Sequence, residues 1–230
     1  PPAAGAGGGR LLVLAGGGLH LGFQLGDHLL DLEPGARDAL AAQGVDVDMP
    51  CWDDASVDWA SFDIAVLRST WDYAERIGEF LEWADRCARL TRLANPVETV
   101  RWNTDKRYLL ELSQAGVPVV PTRFVSPGAD ASLEVMRFLD GGAGSMTYGH
   151  AAEFTDFVVK PVIGAASRDA ARYARVDGTA ALAHLARLLE TGRQTMLQPY
   201  LDRVDAHGET AVIFFDGVLS HSVRKGPLLK

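Results

Sequence analysis

The sequence has little of what marks several common protein classes. Its 230 residues carry more acidic than basic side chains, which gives a net charge of −8. A general nucleic-acid binder needs net positive surface to meet phosphate backbones, so this class is disfavoured. No uninterrupted apolar run reaches the ~18 residues that a membrane-spanning helix requires. We therefore expect a globular protein of one large or two small domains, with neither a nucleic acid nor a membrane as partner.

Cysteine is also scarce, and the ends of the chain are unusual. Cys51 and Cys87 are the only cysteines, and they lack metal-type spacing. This usage predicts reduced thiols in a cytoplasmic protein. No Met begins the chain, residues 1–9 are only Pro, Ala and Gly, and the last residues directly follow a strand-like segment. We interpret the start as a flexible tail and the chain as a fragment.

Two patterns of secondary structure follow one another along the chain. Up to residue 122 the signals alternate, with strands expected at 10–15, 45–49 and 62–67 and helices at 34–43, 77–90 and 105–115. This alternation predicts a small parallel α/β sheet. Beyond it we expect an antiparallel α+β part, with strands at 157–160, 172–176 and 195–198, helices at 133–139 and 179–190, and a hairpin of 209–215 with 218–223. Asp216-Gly217 is the strongest hairpin signal in the chain.

A small-residue segment follows the strand signal at 157–160. Lys160 ends that strand, and after Pro161 come four small residues, Gly164, Ala165, Ala166 and Ser167. Such a turn lets backbone N–H groups approach an anion, and a neighbouring lysine supplies a point charge to a phosphate. Arg168 and Arg172 add planar donors. The alternative is a simple hairpin with solvated cations at its mouth.

A second polar segment follows the strand at 62–67. It reads R-S-T-W-D-Y and consists of Arg68, Ser69, Thr70, Trp71, Asp72 and Tyr73. Ligands of α/β sheets bind beyond the carboxyl ends of strands, so a substrate could meet these residues. Arg68 would hold a carboxylate, and Trp71 and Tyr73 would form a wall. The alternative is a capped helix start followed by core aromatics.

A glycine cluster at residues 16–18 raises a different hypothesis. It follows the first strand, as the phosphate loop of a dinucleotide-binding protein does, but G-x-G-x-x-G is not matched. An irregular loop is favoured here, and an NAD(P) enzyme is kept as a rival interpretation.

Several motifs in order resemble those of the ATP-grasp superfamily of carboxylate–amine ligases. They are N-P-V-E-T-V-R-W-N-T-D-K at 95–106, V-V-K-P at 158–161, Q-P-Y at 198–200, G-E-T at 208–210 and S-H-S-V-R-K-G-P at 220–227. Three motifs, R-S-T-W-D-Y, N-P-V-E-T-V-R-W-N-T-D-K and S-H-S-V-R-K-G-P, look like those of the actinobacterial group related to the cyclo-ligase of D-cycloserine biosynthesis. The resemblance runs from about residue 31 to residue 230.

The resemblance implies a fold and a division of the chain. After an unfamiliar segment at 1–30, it implies an N-terminal α/β domain at 31–122, a small ATP-grasp subdomain at 123–200 and an incomplete large subdomain from 201 to 230. ATP and Mg²⁺ would be bound between the two α+β subdomains. A homodimer is also compatible with this family.

The resemblance also implies roles for particular residues. Lys106 and Lys160 would contact the α- and β-phosphates, and residues 164–167 would close over them. Adenine and ribose would be met by Gln198, Pro199, Tyr200, Leu201, and Asp205 or Glu209. Arg224 and Arg168 would stabilise charge on the transferred phosphoryl group. Lys106 is placed in the first turn of the helix expected at 105–115, where the helix dipole disfavours a cation, and this favours a functional role.

The implied reaction is ATP-dependent joining of a small amino-acid-like carboxylate, or carbamoyl-type group, to an amine through an acyl-phosphate. Cyclisation of one substrate molecule in antibiotic biosynthesis is one version. No N-x-E motif precedes Lys230, so metal ligands are expected beyond that residue. The alternative is a non-catalytic nucleotide-binding module or an inactive fragment of such a ligase.

Overall fold

A computed structural model describes residues 10–15, 32–141 and 154–226 of this chain. The chain divides into two compact units, Pro1–Thr104 and Asp105–Lys230. The glycine cluster at residues 16–18 lies outside the described residues, and so does the loop of the proposed dinucleotide site.

The first unit is built on a parallel sheet. Its elements are β1 (Arg10–Ala15), α1 (Leu32–Ala41), β2 (Asp46–Asp48), β3 (Ile64–Ser69), α2 (Ile77–Leu90), β4 (Arg92–Ala94) and α3 (Val97–Thr104), with a 3₁₀ turn at Trp59–Ser61. The strand order is β2-β1-β3-β4, and every pairing is parallel. The predicted small parallel sheet is therefore confirmed.

Helix α2 contributes more buried residues to the main core cluster of the first unit than any other element. Its apolar residues recur at helical spacing and bury Phe80, Trp83 and Cys87. Trp52 packs edge-on against Phe80, with 5.5 Å between ring centroids. The predicted and observed bounds of this helix agree, because a long and strongly amphipathic segment leaves little choice of face or period.

The second unit carries an antiparallel sheet and a separate hairpin. Its elements are α4 (Tyr108–Gln114), β5 (Arg123–Val125), α5 (Ala131–Leu139), β6 (Asp156–Pro161), β7 (Ala171–Ala174), α6 (Gly178–Glu190), β8 (Thr195–Pro199), α7 (Arg203–His207), β9 (Glu209–Phe215) and β10 (Val218–Lys225). The sheet has the order β5-β8-β6-β7, with antiparallel pairings throughout. The predicted antiparallel α+β part is confirmed.

The hairpin of β9 and β10 turns through Asp216 and Gly217. Both residues have positive φ, 50° and 76°. Two left-handed residues are the requirement of a type I′ turn, which matches the twist of paired strands. The hairpin prediction from Asp-Gly is thus confirmed.

One helix prediction was wrong at its start. Helix α4 begins at Tyr108, and Lys106 lies in the turn between α3 and α4. The carboxylate of Asp105 accepts a hydrogen bond from the Arg107 backbone N–H at 2.9 Å, a local bond that competes with continuing a helix. Lys106 is therefore not in a first helical turn, and the helix-dipole argument for its function no longer applies.

Candidate functional site

A cavity of about 290 Å³ lies in the second unit. Four segments of the chain line this cavity, and they contain nearly all of the predicted nucleotide contacts. Those lining residues are Lys106, Lys160, Gly164, Ala165, Ala166, Ser167, Gln198, Pro199, Tyr200, Leu201 and Glu209. Asp205 is not among them. Sequence reasoning missed the apolar part of the lining, Val120, Val158, Ala170 and Val204.

Strand β6 divides its side chains between the core and the cavity. Phe157 and Val159 are fully buried in the apolar cluster with α5 and α6. Val158 and Lys160 alternate with them and line the cavity. The strand period of two therefore places the ammonium of Lys160 at the cavity while the same strand holds the core.

The ammonium of Lys160 lies in an unfavourable environment for a charge. Burial, and after it the positive charge of Lys106, lowers the pKa of Lys160 to about 8, whereas Glu209 opposes the shift. Desolvation and a like charge both disfavour the ammonium form. An anion placed beside the two lysines would remove this penalty.

Lys106 holds the start of the segment that follows β6. Its Nζ donates to the carbonyl oxygens of Val162 at 3.2 Å and Gly164 at 2.9 Å. Its backbone N–H also donates to Val162 O at 3.3 Å. Burial lowers the pKa of Lys106 as well. Both lysines are thus partly desolvated, and both belong to one unit of the chain.

Residues 164–167, which we call the small-residue loop, curl tightly over the cavity. Ala166 and Ser167 have φ of 52° and 56°, a left-handed conformation that costs roughly 1 kcal/mol or more per non-glycine residue. Within the described part of the chain, the N–H groups of Ala165, Ala166 and Ser167 have no hydrogen-bond partner. Successive N–H groups in such a concave turn form an anion-binding nest.

The opposite wall comes from the end of β8. The Gln198 side chain is buried, and its Nε2 donates to Thr122 Oγ1 at 2.7 Å. Thr122 Oγ1 in turn donates to the carbonyl of Val120 at 2.8 Å, and Val120 lines the cavity. The Gln198 amide therefore fixes the position of a neighbouring wall, while residues 198–201 present their backbone.

Asp205 and Glu209, the two candidates for ribose, lie in different places. Asp205 accepts hydrogen bonds from the Tyr200 hydroxyl at 2.5 Å and from Arg172 Nη1 at 2.8 Å, and these bonds lower the pKa of Asp205. Arg172 also pairs with Asp156 at 2.6 Å, and its guanidinium lies 3.8 Å from the Tyr200 ring centroid. Glu209 lines the cavity and is the better placed of the two. Arg172 therefore connects Asp156, Tyr200 and Asp205. Apart from its position near the loop, nothing in the sequence indicated these contacts.

The two arginines proposed for catalysis also differ in position. Arg168 follows the small-residue loop and lines the cavity. Arg224 is an exposed residue of β10, where it pairs with Thr210, and it is not part of the cavity lining. The register places Lys225 opposite Glu209, and strand alternation puts Arg224 on the other face of the hairpin.

The R-S-T-W-D-Y segment lies in the first unit, at the carboxyl end of β3. Arg68 is exposed, and the Trp71 side chain is 52% exposed. Tyr73 instead packs on the core, with its ring centroid 5.5 Å from that of Phe80. Asp72 accepts a hydrogen bond from Trp52 Nε1 at 3.0 Å. The segment therefore combines core contacts at Asp72 and Tyr73 with exposed side chains at Arg68 and Trp71.

The described residues offer neither a clustered set of metal ligands nor a membrane-spanning helix. No group of three or more His, Cys, Asp or Glu side chains in these residues could hold a metal ion. None of the helices there has the length and apolar character needed to cross a bilayer.

Comparison with known proteins gives matches over most of the chain. A family model described as the N-terminal domain of D-cycloserine synthetase DcsG matches residues 21–95. The cycloserine biosynthesis protein DcsG of Streptomyces lavendulae is 44% identical over 196 residues, which cover 85% of this chain and 62% of that protein. The chain thus spans less than two thirds of this relative's length.

Solved structures match as well. The crystal structure of D-cycloserine synthetase DcsG is 40% identical and superposes with a TM-score of 0.81, covering 96% of this chain and 69% of its own. A RimK domain ATP-grasp protein from Sphaerobacter thermophilus DSM 20745 is 18% identical, with a TM-score of 0.50 over 84% of this chain and 64% of its own. The second likeness concerns the fold alone.

Proposed function

We propose that this chain, which belongs to the D-cycloserine synthetase family, acts as part of an ATP-dependent ligase. The ATP-grasp fold predicted from the sequence is confirmed. ATP would bind in the cavity of the second unit. One observation carries the proposal: two desolvated lysines and a nest of N–H groups without partners among the described residues meet in that cavity. The chain spans 62% of the length of the Streptomyces lavendulae DcsG protein. The activity of the whole protein is therefore itself a proposal.

The charge arrangement favours a polyphosphate over a neutral ligand. Burial lowers the pKa of both lysines, and the positive charge of Lys106 also lowers the pKa of Lys160. A phosphate chain would supply the missing negative charge, and the small-residue loop would add N–H donors without a side chain to obstruct them. Val158 and Val204 would contact the apolar face of a base. Glu209 would accept hydrogen bonds from the ribose hydroxyls.

The chemistry requires no nucleophilic side chain from the protein. A substrate carboxylate (or carbamoyl-type oxygen) attacks the γ-phosphorus, the bond to the β-phosphate oxygen breaks, and ADP leaves. The amine then attacks the acyl carbon, and inorganic phosphate leaves as the C–N bond forms. The protein contributes positioning and charge neutralisation by Lys106, Lys160 and Arg168. Arg224 stays a predicted contributor that this cavity does not include.

Among the described residues, no group of three or more His, Cys, Asp or Glu side chains marks a preformed site for Mg²⁺. No step is derived through this ion. The second candidate function is a nucleotide-binding module without catalysis, because the cavity of the second unit accounts for nucleotide binding alone.

For the substrate we propose a small amino-acid-like molecule recognised by the first unit. Arg68 would pair with its carboxylate, and Trp71 would cover its apolar part, since both side chains are exposed at the end of β3. Cyclisation within one molecule is the version closest to the family's name. We further propose a cytoplasmic location, consistent with two cysteines that form no disulfide among the described residues, and the homodimer stays a prediction.

Calorimetric titration with ADP and ATP, with and without Mg²⁺, tests the site. We expect wild-type protein to bind both nucleotides and Lys160→Ala to lose at least about tenfold in affinity, as a charge-assisted contact is removed. Arg137→Ala, an exposed arginine of α5 in the same unit, is the control and should bind as wild type. Wild-type protein that binds neither nucleotide would overturn the proposal. ADP formation with amino-acid substrates separates the ligase from the non-catalytic module.

A further inference from the structure

Asp169 lies two residues beyond the small-residue loop and is not part of the cavity lining. Ser167, Arg168 and Ala170 all line the cavity, and Asp169 between them does not. Its φ is 55°, so a third non-glycine residue of this short segment is left-handed. Such a conformation is unfavourable unless surrounding contacts hold it.

The contacts of Asp169 connect the loop to helix α6 and to the segment after it. Arg187 Nη2, on α6, donates to Asp169 Oδ1 at 3.1 Å, and Arg193 Nη1 donates to Asp169 Oδ2. These hydrogen bonds, that of Arg193 first, lower the pKa of Asp169, so its carboxylate stays charged near neutral pH.

The element that receives these contacts is rigidly placed. Helix α6 buries Leu185, Leu188 and Leu189 against the sheet. The segment before the loop is held by Gln194, the residue after Arg193. The Val162 N–H donates a hydrogen bond to the Gln194 carbonyl oxygen at 2.9 Å. The loop is therefore fixed at both ends, by Lys106 and Gln194 before it and by the Asp169 contacts after it.

We propose that Asp169 is a positioning residue for phosphate binding: its pairing with Arg187 and Arg193 holds the small-residue loop in the left-handed conformation that presents its N–H groups to the phosphates. This inference rests on the proposed nucleotide site. It assigns Asp169 no contact with the nucleotide. Its effect reaches the ligand through the backbone of Ala165, Ala166 and Ser167.

The test compares ligands with and without a polyphosphate. Asp169→Asn keeps the shape of the side chain but removes its charge. We expect its affinity for ADP to fall about tenfold, on the scale of one charge-assisted hydrogen bond, while its affinity for adenosine stays that of wild type. Arg193→Gln should give the same selective loss. The double variant should lose little more than either single variant, because the two residues act as one unit.

Asp85→Asn serves as the matched control. It removes the charge of a carboxylate paired with Arg101 at 2.7 Å on the first unit, and it should leave both affinities unchanged. Unfolding midpoints accompany each titration, and Asp169→Asn should change them little because its ion pairs are partly exposed. If Asp169→Asn does not fold, Arg193→Gln alone carries the comparison.

The outcomes separate this inference from the proposed function. Wild-type protein that binds no ADP overturns both. Wild-type binding with undiminished ADP affinity in Asp169→Asn overturns the role of Asp169 alone. Equal losses for ADP and adenosine indicate a general structural defect and also overturn it. A selective loss of ADP affinity supports it.

Discussion

At the residue scale, two lysines define the chemistry of the cavity. The ammonium of Lys106 donates hydrogen bonds to the carbonyl oxygens of Val162 and Gly164. Burial and the charge of Lys106 lower the pKa of Lys160, and Glu209 opposes this shift. Because its pKa is about 8, Lys160 loses its charge just above physiological pH. Its protonation is therefore a direct probe of whether an anion binds beside it.

Nucleotide affinity should fall as the pH rises above about 8. Below pH 8 Lys160 is charged in the free protein, and binding requires no proton. Above it, a bound phosphate favours the ammonium, so binding takes up one proton and the affinity falls by up to about tenfold per pH unit. ADP titrations from pH 7 to 9.5 in buffers of different ionisation enthalpy measure both the affinity and the proton uptake.

Lys160→Arg is the control for this prediction, because a guanidinium stays charged over this range. Its ADP affinity should be nearly independent of pH from 7 to 9.5. The sign for stability follows from the same shift. The folded pKa is below the ordinary 10.5, so the unfolded chain binds more protons between about pH 8 and 10.5, and this lysine's contribution to stability rises with pH there. An affinity that does not change between pH 7 and 9.5 in wild type would contradict the assignment.

At the scale of elements, the hairpin of β9 and β10 brings Glu209 to the cavity. Its base is closed by Gly208, which follows α7 with a φ of 68°. A Cβ on Gly208 would lie 2.1 Å from the carbonyl oxygen of Lys225, far inside contact distance. Only glycine therefore permits the two strands to approach here.

Gly208→Ala should destabilise the hairpin and weaken ADP binding. The left-handed φ and the clash with Lys225 backbone together should cost at least about 2 kcal/mol, and Glu209 should move away from the cavity. Hydrogen exchange of β9 and β10 together with ADP titration measures the two effects. Gly78→Ala is the control, since a Cβ there meets open space within α2 and replaces glycine by a better helix former. Equal protection of the hairpin in wild type and Gly208→Ala would refute the close-approach argument.

At the scale of the whole molecule, the hairpin of β9 and β10 carries several of the exposed large apolar side chains of the described residues. Phe214 and Phe215 are 57% and 66% exposed, and Leu219 and Val218 pair with them across the strands at 60% and 69%. Since each cross-strand pair lies on one face and the two pairs alternate, both faces of the ribbon present apolar side chains. Exposed apolar patches of this kind promote association.

The 230-residue chain should therefore bind the dye ANS and scatter light more as its concentration rises. Phe215→Gln together with Val218→Gln should reduce both signals. ADP affinity should be unchanged, because neither residue lines the cavity. Met136→Gln is the control, an exposed apolar residue of α5 at 53% exposure, and should have little effect. ANS fluorescence and static light scattering make the measurement, and an ANS signal equal in wild type and the double variant would contradict the prediction.

Local sequence chemistry was enough to predict most of the elements. Helix α2, the turn at Asp216-Gly217 and strand β6 each have a periodicity or a turn requirement contained within a few neighbouring residues. The ordered motifs indicated the family, and most of the named nucleotide contacts line one cavity. The start of α4 was predicted wrongly, because the side-chain bond of Asp105 competes with the helix and residue propensities alone do not show it.

The sequence by itself determined most of the element types, the family and the residue types of the proposed nucleotide site, because these depend on short-range periodicity and motif order. Only the tertiary structure decided which side chains face the cavity and what holds them. In the structure Glu209, and not Asp205, lines the cavity. The Gln198 side chain donates a hydrogen bond to Thr122, and Asp169 accepts hydrogen bonds from Arg187 and Arg193. These pairings join residues far apart in the chain, and their geometry depends on how strands and helices pack rather than on any local pattern.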